Sequence, residues 1–308
     1  MRYKNIPLDF SKPFDSNALS ECAQALSDQY PFLGIGYLGK SILGVDIPYF
    51  ILGEGKKEIL YVGAHHGMEW ITSLLLVRFL LDACELAERK KSIHQVPLEF
   101  LLERYTLYVL PMLNPDGVGY QIHGVDEANP LYGRLISMNG GSTDFSRWQA
   151  NARGVDLNHN YDAGFWEYKQ IELDNGIENG APTKYSGECP ESEPEVAYLC
   201  NFIRFHENIQ GILTLHTQGE EIFYQAGCVL SRKQERIAKE LSALTDYRLS
   251  RTEGSACFGG LTDWCVQRLG LPSYTLECGK GENPLPLTQA IPIYARLRRA
   301  LFRFPLFF

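Results

Sequence analysis

Short strand-like runs alternate with helical ones along this chain, and that alternation limits the fold more than any other feature. KKEILYVGA (56–64) is rich in β-branched and aromatic residues and follows a Gly-Glu-Gly turn, so it reads as a buried strand. EWITSLLLVRFLLDACELAERK (69–90) has the length of a helix, with an acid at its start and bases at its end, as the helix dipole favours. YTLYVLPML (105–113) is a second strand, stopped by the turn chemistry of Asn114-Pro115-Asp116-Gly117. The pattern continues with a helix over 192–208 that carries Pro194 near its first turn, then a strand, IQGILTLHT (209–217). An amphipathic helix over 232–247, a strand LPSYTLECG (271–279) and a closing helix over 292–304 complete it. Strands separated by helices imply a mostly parallel or mixed sheet with helices on both faces. No repeat, linker or low-complexity segment divides the chain. It therefore reads as one domain over 1–308, with 1–50 as a lead-in packed on the rest. Residues 118–190 are rich in Gly, Asn, Asp and Pro but carry aromatics, and read as ordered loops.

Composition excludes several functions. A chain of 308 residues can bury a sizeable core, and 45% hydrophobic with 21% charged residues is ordinary for a globular protein. A formal net charge of -8 without a basic tract argues against nucleic-acid binding. The opening MRYKNIPLDFSKPFDS has no apolar run behind its positive charges and does not read as a secretory signal. ITSLLLVRFLLDAC, the longest apolar stretch, is interrupted by Arg78 and is too short to span a bilayer. Eight scattered cysteines without a CxxC pair read as free thiols, which places the protein in the cytoplasm and gives no sign of a Cys-rich zinc site.

Open α/β sheets collect their ligands beyond the C-terminal ends of the strands. Here the first strand ends at His65-His66-Gly67-Met68-Glu69, IQGILTLHT ends at His216, and LPSYTLECG ends at Glu277. Two imidazoles and a carboxylate form a zinc ligand set that leaves a fourth position open for water. His66 and Glu69, three apart at a strand-to-helix turn, can meet round one point, and His216 arrives from a neighbouring strand. Bound zinc lowers the pKa of a water from about 15.7 towards 7. A carboxylate near the metal but not on it suits the proton transfers, and Glu277 is the candidate. Taken singly, each of these residues reads as a polar group satisfied by backbone and water, and Glu277 as a salt-bridge partner of Lys280. Their convergence outweighs those readings. His65 and Asp156 read as groups that support the ligands rather than as ligands.

On these residues the sequence resembles the zinc carboxypeptidase family typified by pancreatic carboxypeptidase A. The family's H-x-x-E and later H are matched by His66, Glu69 and His216. NPDG (114–117), GVDLNHNYDAGF (154–165), GGLTDWC (259–265) and TLE (275–277) follow in the family's order, so the likeness spans roughly 56–280. The resemblance implies a three-layer α/β/α sandwich on a mixed eight-stranded sheet and one Zn²⁺ per chain held by the three residues. It also implies Glu277 as base and proton shuttle, and an arginine that polarises the scissile carbonyl. Arg147 and Arg153 both lie near the expected place, and Arg153 is preferred. Asn158 resembles the asparagine that holds the substrate's terminal carboxylate.

Two departures stand out. His159 occupies the position where the family usually has an arginine that clamps this carboxylate, and an imidazole lacks the planar fork. The stretch GSACF lacks the family's substrate-capping tyrosine; Tyr224 is a candidate pocket wall but not its replacement. Thr262 falls where the family sets side-chain preference, and it is uncharged. These departures, with the wording ANARGVDLN, are closer to the bacterial branch that cuts γ-D-glutamyl bonds to diamino acids in cell-wall peptides. The expectation is a zinc metallopeptidase acting on a small peptide with a free carboxylate, without nucleic-acid or membrane partners. Two alternatives stay open: a zinc-dependent deacylase of N-acyl amino acids resembling the aspartoacylase group, and a non-catalytic zinc- or peptide-binding protein.

Overall fold

The computed structural model describes residues 6–225, 231–251 and 258–308. α1 (Ser16–Gln29) leads into two antiparallel strands, β1 (Gly34–Lys40) and β2 (Asp46–Leu52), and then β3 (Lys57–Val62) and α2 (Ile71–Glu88). A small hairpin of β4 (Ser92–Ile93) and β5 (Val96–Pro97) and the short α3 (Leu98–Arg104) return the chain to β6 (Tyr105–Leu110). α4 (Pro115–His123), α5 (Tyr132–Met138) and α6 (Phe165–Asp174) punctuate the loop-rich middle. The last third runs α7 (Pro194–Phe205), β7 (Ile209–His216), β8 (Glu221–Phe223), α8 (Arg232–Thr245), β9 (Arg248–Ser250), α9 (Leu261–Leu269), β10 (Ser273–Glu277) and α10 (Ala290–Arg303).

Eight strands form one mixed sheet in the order β1-β2-β6-β3-β7-β10-β8-β9. Its centre, β6-β3-β7-β10, is parallel throughout, and the antiparallel pairs lie towards the edges. Side chains alternate between faces along a strand, and the central strands are apolar on both sides. Ile59, Tyr61, Leu107, Val109, Leu213 and Leu215 join the core beneath α1, α2, α8 and α10. Their neighbours Leu60, Val62, Tyr108, Leu110 and Ile212 join a second core beneath α7 and α9. Such strands must be covered on both faces, which yields the expected three layers. α2 is apolar nearly all round, with Leu74, Leu75, Leu76, Leu80 and Leu81 fully buried. Each such leucine contributes about 1.5–3 kcal/mol relative to an exposed one.

Two expectations need correction. Residues 1–50 are more than a lead-in, because β1 and β2 complete one side of the sheet. NPDG does not form a plain turn but opens α4: the Asn114 side chain accepts a hydrogen bond from Gly117 N at 2.9 Å, and Pro115 takes the first helical position. No helix among the described residues is long and apolar enough to cross a membrane.

Candidate metal centre and substrate cavity

The parallel strands bring three of the four candidate residues to one edge. Glu277 and His216 are register partners on β10 and β7, each the last residue of its strand. His66 arrives four residues past the end of β3, on a turn that the sequence holds tightly. Ala64 adopts φ +44°, a conformation uncommon for a residue with a Cβ. It is held there by Thr72 Oγ1, which accepts from Ala64 N at 2.8 Å, and by Asn114 N, which donates to Ala64 O at 3.0 Å. The Asn114 amide also donates to His65 O at 3.0 Å. Gly67 lets this turn press on the start of α4, since a Cβ there would lie 2.4 Å from Gly117 O.

The ligand atoms of His66, Glu69 and His216 all lie within 4.8 Å of one another, and all three residues are buried. His66 Nδ1 is 3.0 Å from Glu69 Oε1, and His216 Nδ1 is 3.2 Å from Glu69 Oε2. The two Nδ1 atoms stand 3.3 Å apart. Two imidazole nitrogens and a carboxylate aimed at one point, out of water, are a donor set that a divalent cation satisfies. Zinc fits it in ligand type and number. The outer face of His66 is fixed by Asp156, whose Oδ1 lies 3.1 Å from Nε2. Asp156 is itself anchored by Gln149 Nε2 at 3.0 Å and Lys184 N at 3.1 Å. His65, on the neighbouring turn position, does not face the ligand point. It reaches the Tyr161 hydroxyl at 3.0 Å and stacks on the His216 ring at 5.1 Å. Thr217 N and Asn283 Nδ2 donate to the two oxygens of Glu69 at 3.1 and 3.3 Å.

Electrostatics separate the two glutamates. Burial works against ionising Glu69, yet the charges of His66 and His216 and their hydrogen bonds outweigh it and hold its pKa at about 2. Glu277 is pushed the other way, well above the usual carboxylate range, by burial and then by the charge of Glu69. Its carboxylate makes no hydrogen bond among the described residues, and Lys280 pairs with Glu220 at 2.9 Å instead. One carboxylate is therefore committed as an anion and the other is free to take up and release a proton, the division that acid–base chemistry needs.

Glu277 lines a cavity of about 180 Å³ together with His66, Asn158, His159, Thr262 and Asp263. Asn158 and His159 are placed by Gly259, at φ +74°, where a Cβ would sit 2.4 Å from His159 O. His159 Nδ1 donates to Phe258 O at 2.8 Å, and its ring stacks on Tyr168 at 4.0 Å. Burial lowers the pKa of this imidazole, so it stays neutral. Thr262 Oγ1 meets the hydroxyls of Ser273 and Thr275 at 3.0 and 2.9 Å.

Three sequence expectations are displaced. Arg153 is not in the cavity: its Nε donates to Glu193 Oε2 at 3.0 Å and its Nη2 to Ser192 O at 3.1 Å. The structure therefore gives no support for a carbonyl-polarising role there. Arg147 is exposed, pairs with Glu282 at 2.8 Å, and borders a separate depression that shares Gln149 with the cavity. Tyr224 is buried in the core, while Phe223 and Gln225, its neighbours on the opposite face, line the cavity. GSACF (254–258) falls outside the described residues apart from Phe258. Sequence reasoning also passed over Gln149, Asn283 and Asp263; the last was visible as an acid three residues past Gly259-Gly260.

A larger groove of about 810 Å³ lies between α2 and α10, but it holds no group of metal-ligating side chains among the described residues. The chemistry therefore belongs to the smaller cavity. Residues 19–299 match the pattern of the peptidase M14 family, the zinc carboxypeptidases.

The chain belongs to the zinc carboxypeptidase family.

Members of this family are zinc-dependent hydrolases of peptide bonds, and this chain is a hydrolase of that kind. It is 32% identical to "Gamma-D-glutamyl-L-diamino acid endopeptidase 1" of Lysinibacillus sphaericus over 281 residues, covering 91% of this chain and 69% of that one. Bovine thrombin-activatable fibrinolysis inhibitor shares the fold with TM-score 0.71 at 18% identity, over 96% of this chain and 97% of that one. The murein-tripeptide amidase MpaA of Escherichia coli O157 shares it with TM-score 0.54 at 21% identity, over 88% and 92%.

Proposed function

We propose that the protein hydrolyses the amide bond between the γ-carboxyl of a D-glutamyl residue and a diamino acid in small cell-wall peptides. The observation that carries the hydrolytic part is Glu277, register-paired with His216, free of hydrogen bonds among the described residues and facing the cavity beside the three ligands. The substrate class is supported by the name of the Lysinibacillus relative. It is supported too by His159, a neutral ring in place of a carboxylate clamp.

In this reading one zinc ion per chain is held by His66, Glu69 and His216. Bound there, zinc supplies Lewis acidity to the scissile carbonyl and acidifies a water. Glu277 takes the proton of the attacking water on its carboxylate and hands it to the departing amine. Its raised pKa suits a group that must hold the proton between the two transfers. Asp156 keeps His66 in the tautomer that presents Nδ1. Asn158 uses Oδ1 to accept from Leu261 N at 3.1 Å, which leaves its amide hydrogens for the substrate. We also place the protein in the cytoplasm: Cys22, Cys84, Cys189, Cys200, Cys265 and Cys278 are all free thiols.

The test is a mass-spectrometric assay of γ-D-glutamyl-diaminopimelate peptides, ordinary C-terminal dipeptides and N-acetyl amino acids with zinc-loaded protein. Cleavage confined to the first class is expected; cleavage of N-acetyl amino acids alone would make it a deacylase. Glu277→Gln should lower turnover by about 10³-fold or more while metal analysis still finds zinc. A variant that keeps turning over refutes the role given to Glu277.

A further inference from the structure

Besides the ligand His66, the cavity is lined by acids and uncharged groups, and no lysine or arginine reaches it among the described residues. Glu277 has a task in the reaction, but Asp263 has none so far. Asp263 is the third residue of α9 and is only 5% exposed. One of its oxygens lies against Gly260, where a Cβ would come within 3.1 Å of Oδ2. Reaching back to the start of its own helix explains that oxygen and not the other. Among the described residues no side chain donates to this carboxylate, and no cation pairs with it. A buried carboxylate without a counter-ion is costly, and burial accordingly lifts its pKa to about 7.

The neighbouring imidazole adds a second acceptor. His159 spends its Nδ1 hydrogen on Phe258 O, so in the neutral ring Nε2 carries a lone pair and no proton. Such a nitrogen cannot hold a carboxylate but can accept from an N–H donor. The hydroxyls of Thr262 and Thr275 supply further acceptors on the same wall.

Resting on the function proposed above, we propose that this cavity receives a side-chain ammonium of the leaving residue and that Asp263 is its counter-ion. The second amino group of a diamino acid would then be the feature that the protein reads. The uncharged Thr262 cannot make that discrimination. The amide hydrogens of Asn158 stay available for the other pole of a zwitterionic residue.

Binding tests this without turnover. Calorimetry on the zinc-loaded protein would compare L-lysine with its neutral isostere L-norleucine, each up to about 10 mM. The expected result is lysine bound about tenfold more tightly, a preference that Asp263→Asn cuts to about threefold or less and Asp263→Glu retains. Asparagine can still accept from Gly260 N–H, so a purely structural Asp263 predicts an unchanged preference in the Asn variant. Should that variant not fold, the wild-type ratio and the Glu variant decide. Equal binding of both amino acids, no binding of lysine, or a preference that survives Asp263→Asn overturns the proposal. Turnover of γ-D-glutamyl peptides without lysine preference defeats this inference and leaves the hydrolase; lysine preference without turnover does the reverse.

Discussion

His66 works with both ring nitrogens: Nδ1 faces Glu69 and the ligand point, and Nε2 faces Asp156. Burial opposes protonating this ring, but the two carboxylates win and raise its pKa well above the usual value. The ring's orientation therefore depends on an acid that never touches the metal. Asp156→Asn keeps the shape and weakens the acceptor, and should lower zinc affinity about 10–100-fold. Competition with a chromophoric chelator would measure it, and an unchanged affinity would show Asp156 to be dispensable. At this scale the sequence disclosed the residues whose type and place agree. His66, Glu69, His216 and Glu277 stand at or just past strand ends, where an open α/β sheet places its site. Arg153 and Tyr224 could not be placed so well. A loop residue's direction depends on partners such as Glu193, which comes 40 positions later, and Tyr224 follows a strand too short to declare its faces.

Long periodic elements were legible with ends displaced by a few residues: β3, α2, β7 and α8 all lie where hydrophobic spacing put them. α4, α5 and α6 were not, because they are short and lie in a stretch of loop-forming residues with little helical period. The start of α7 carries a burden of its own. Glu195, in its first turn, is buried, and burial together with Glu193 and Asp116 raises its carboxyl from 4.5 to about 8. Below pH 4.5 folded and unfolded chains both hold that proton, so the residue costs nothing. Between 4.5 and about 8 the unfolded chain releases it and the folded chain keeps it, so stability falls as pH rises. The Asn151 amide donates to Glu195 Oε2 at 3.4 Å; Glu195→Gln keeps a side-chain oxygen as acceptor and removes the ionisation. It should match the wild type near pH 4.5 and exceed it by at most about 5 kcal/mol above pH 8. Denaturant melts at both ends of the range would show it, and a gap that does not widen with pH would refute it.

Across the whole molecule, two apolar cores and one polar edge divide the labour. We take the described residues to be one folding unit, since β1 and β2 are sewn into the same sheet as the strands that carry His216 and Glu277. Calorimetry should then give one cooperative transition, and two resolved transitions would divide the chain. Zinc should raise its midpoint: an ion at a thousand times its dissociation constant adds about 4 kcal/mol, and each kcal/mol moves a molecule of this size by roughly 2 °C. A chelator that leaves the midpoint unmoved would mean that no ion sits among His66, Glu69 and His216. The alignment of β7 with β10 has a last consequence. A slip of one position between those neighbours would turn His216 and Glu277 to opposite sides of the sheet. A misthreaded copy of the chain could hide its oily residues passably and still fail to capture its ion. On the proposed one ion per chain, the zinc content of a preparation then tracks its correctly threaded molecules.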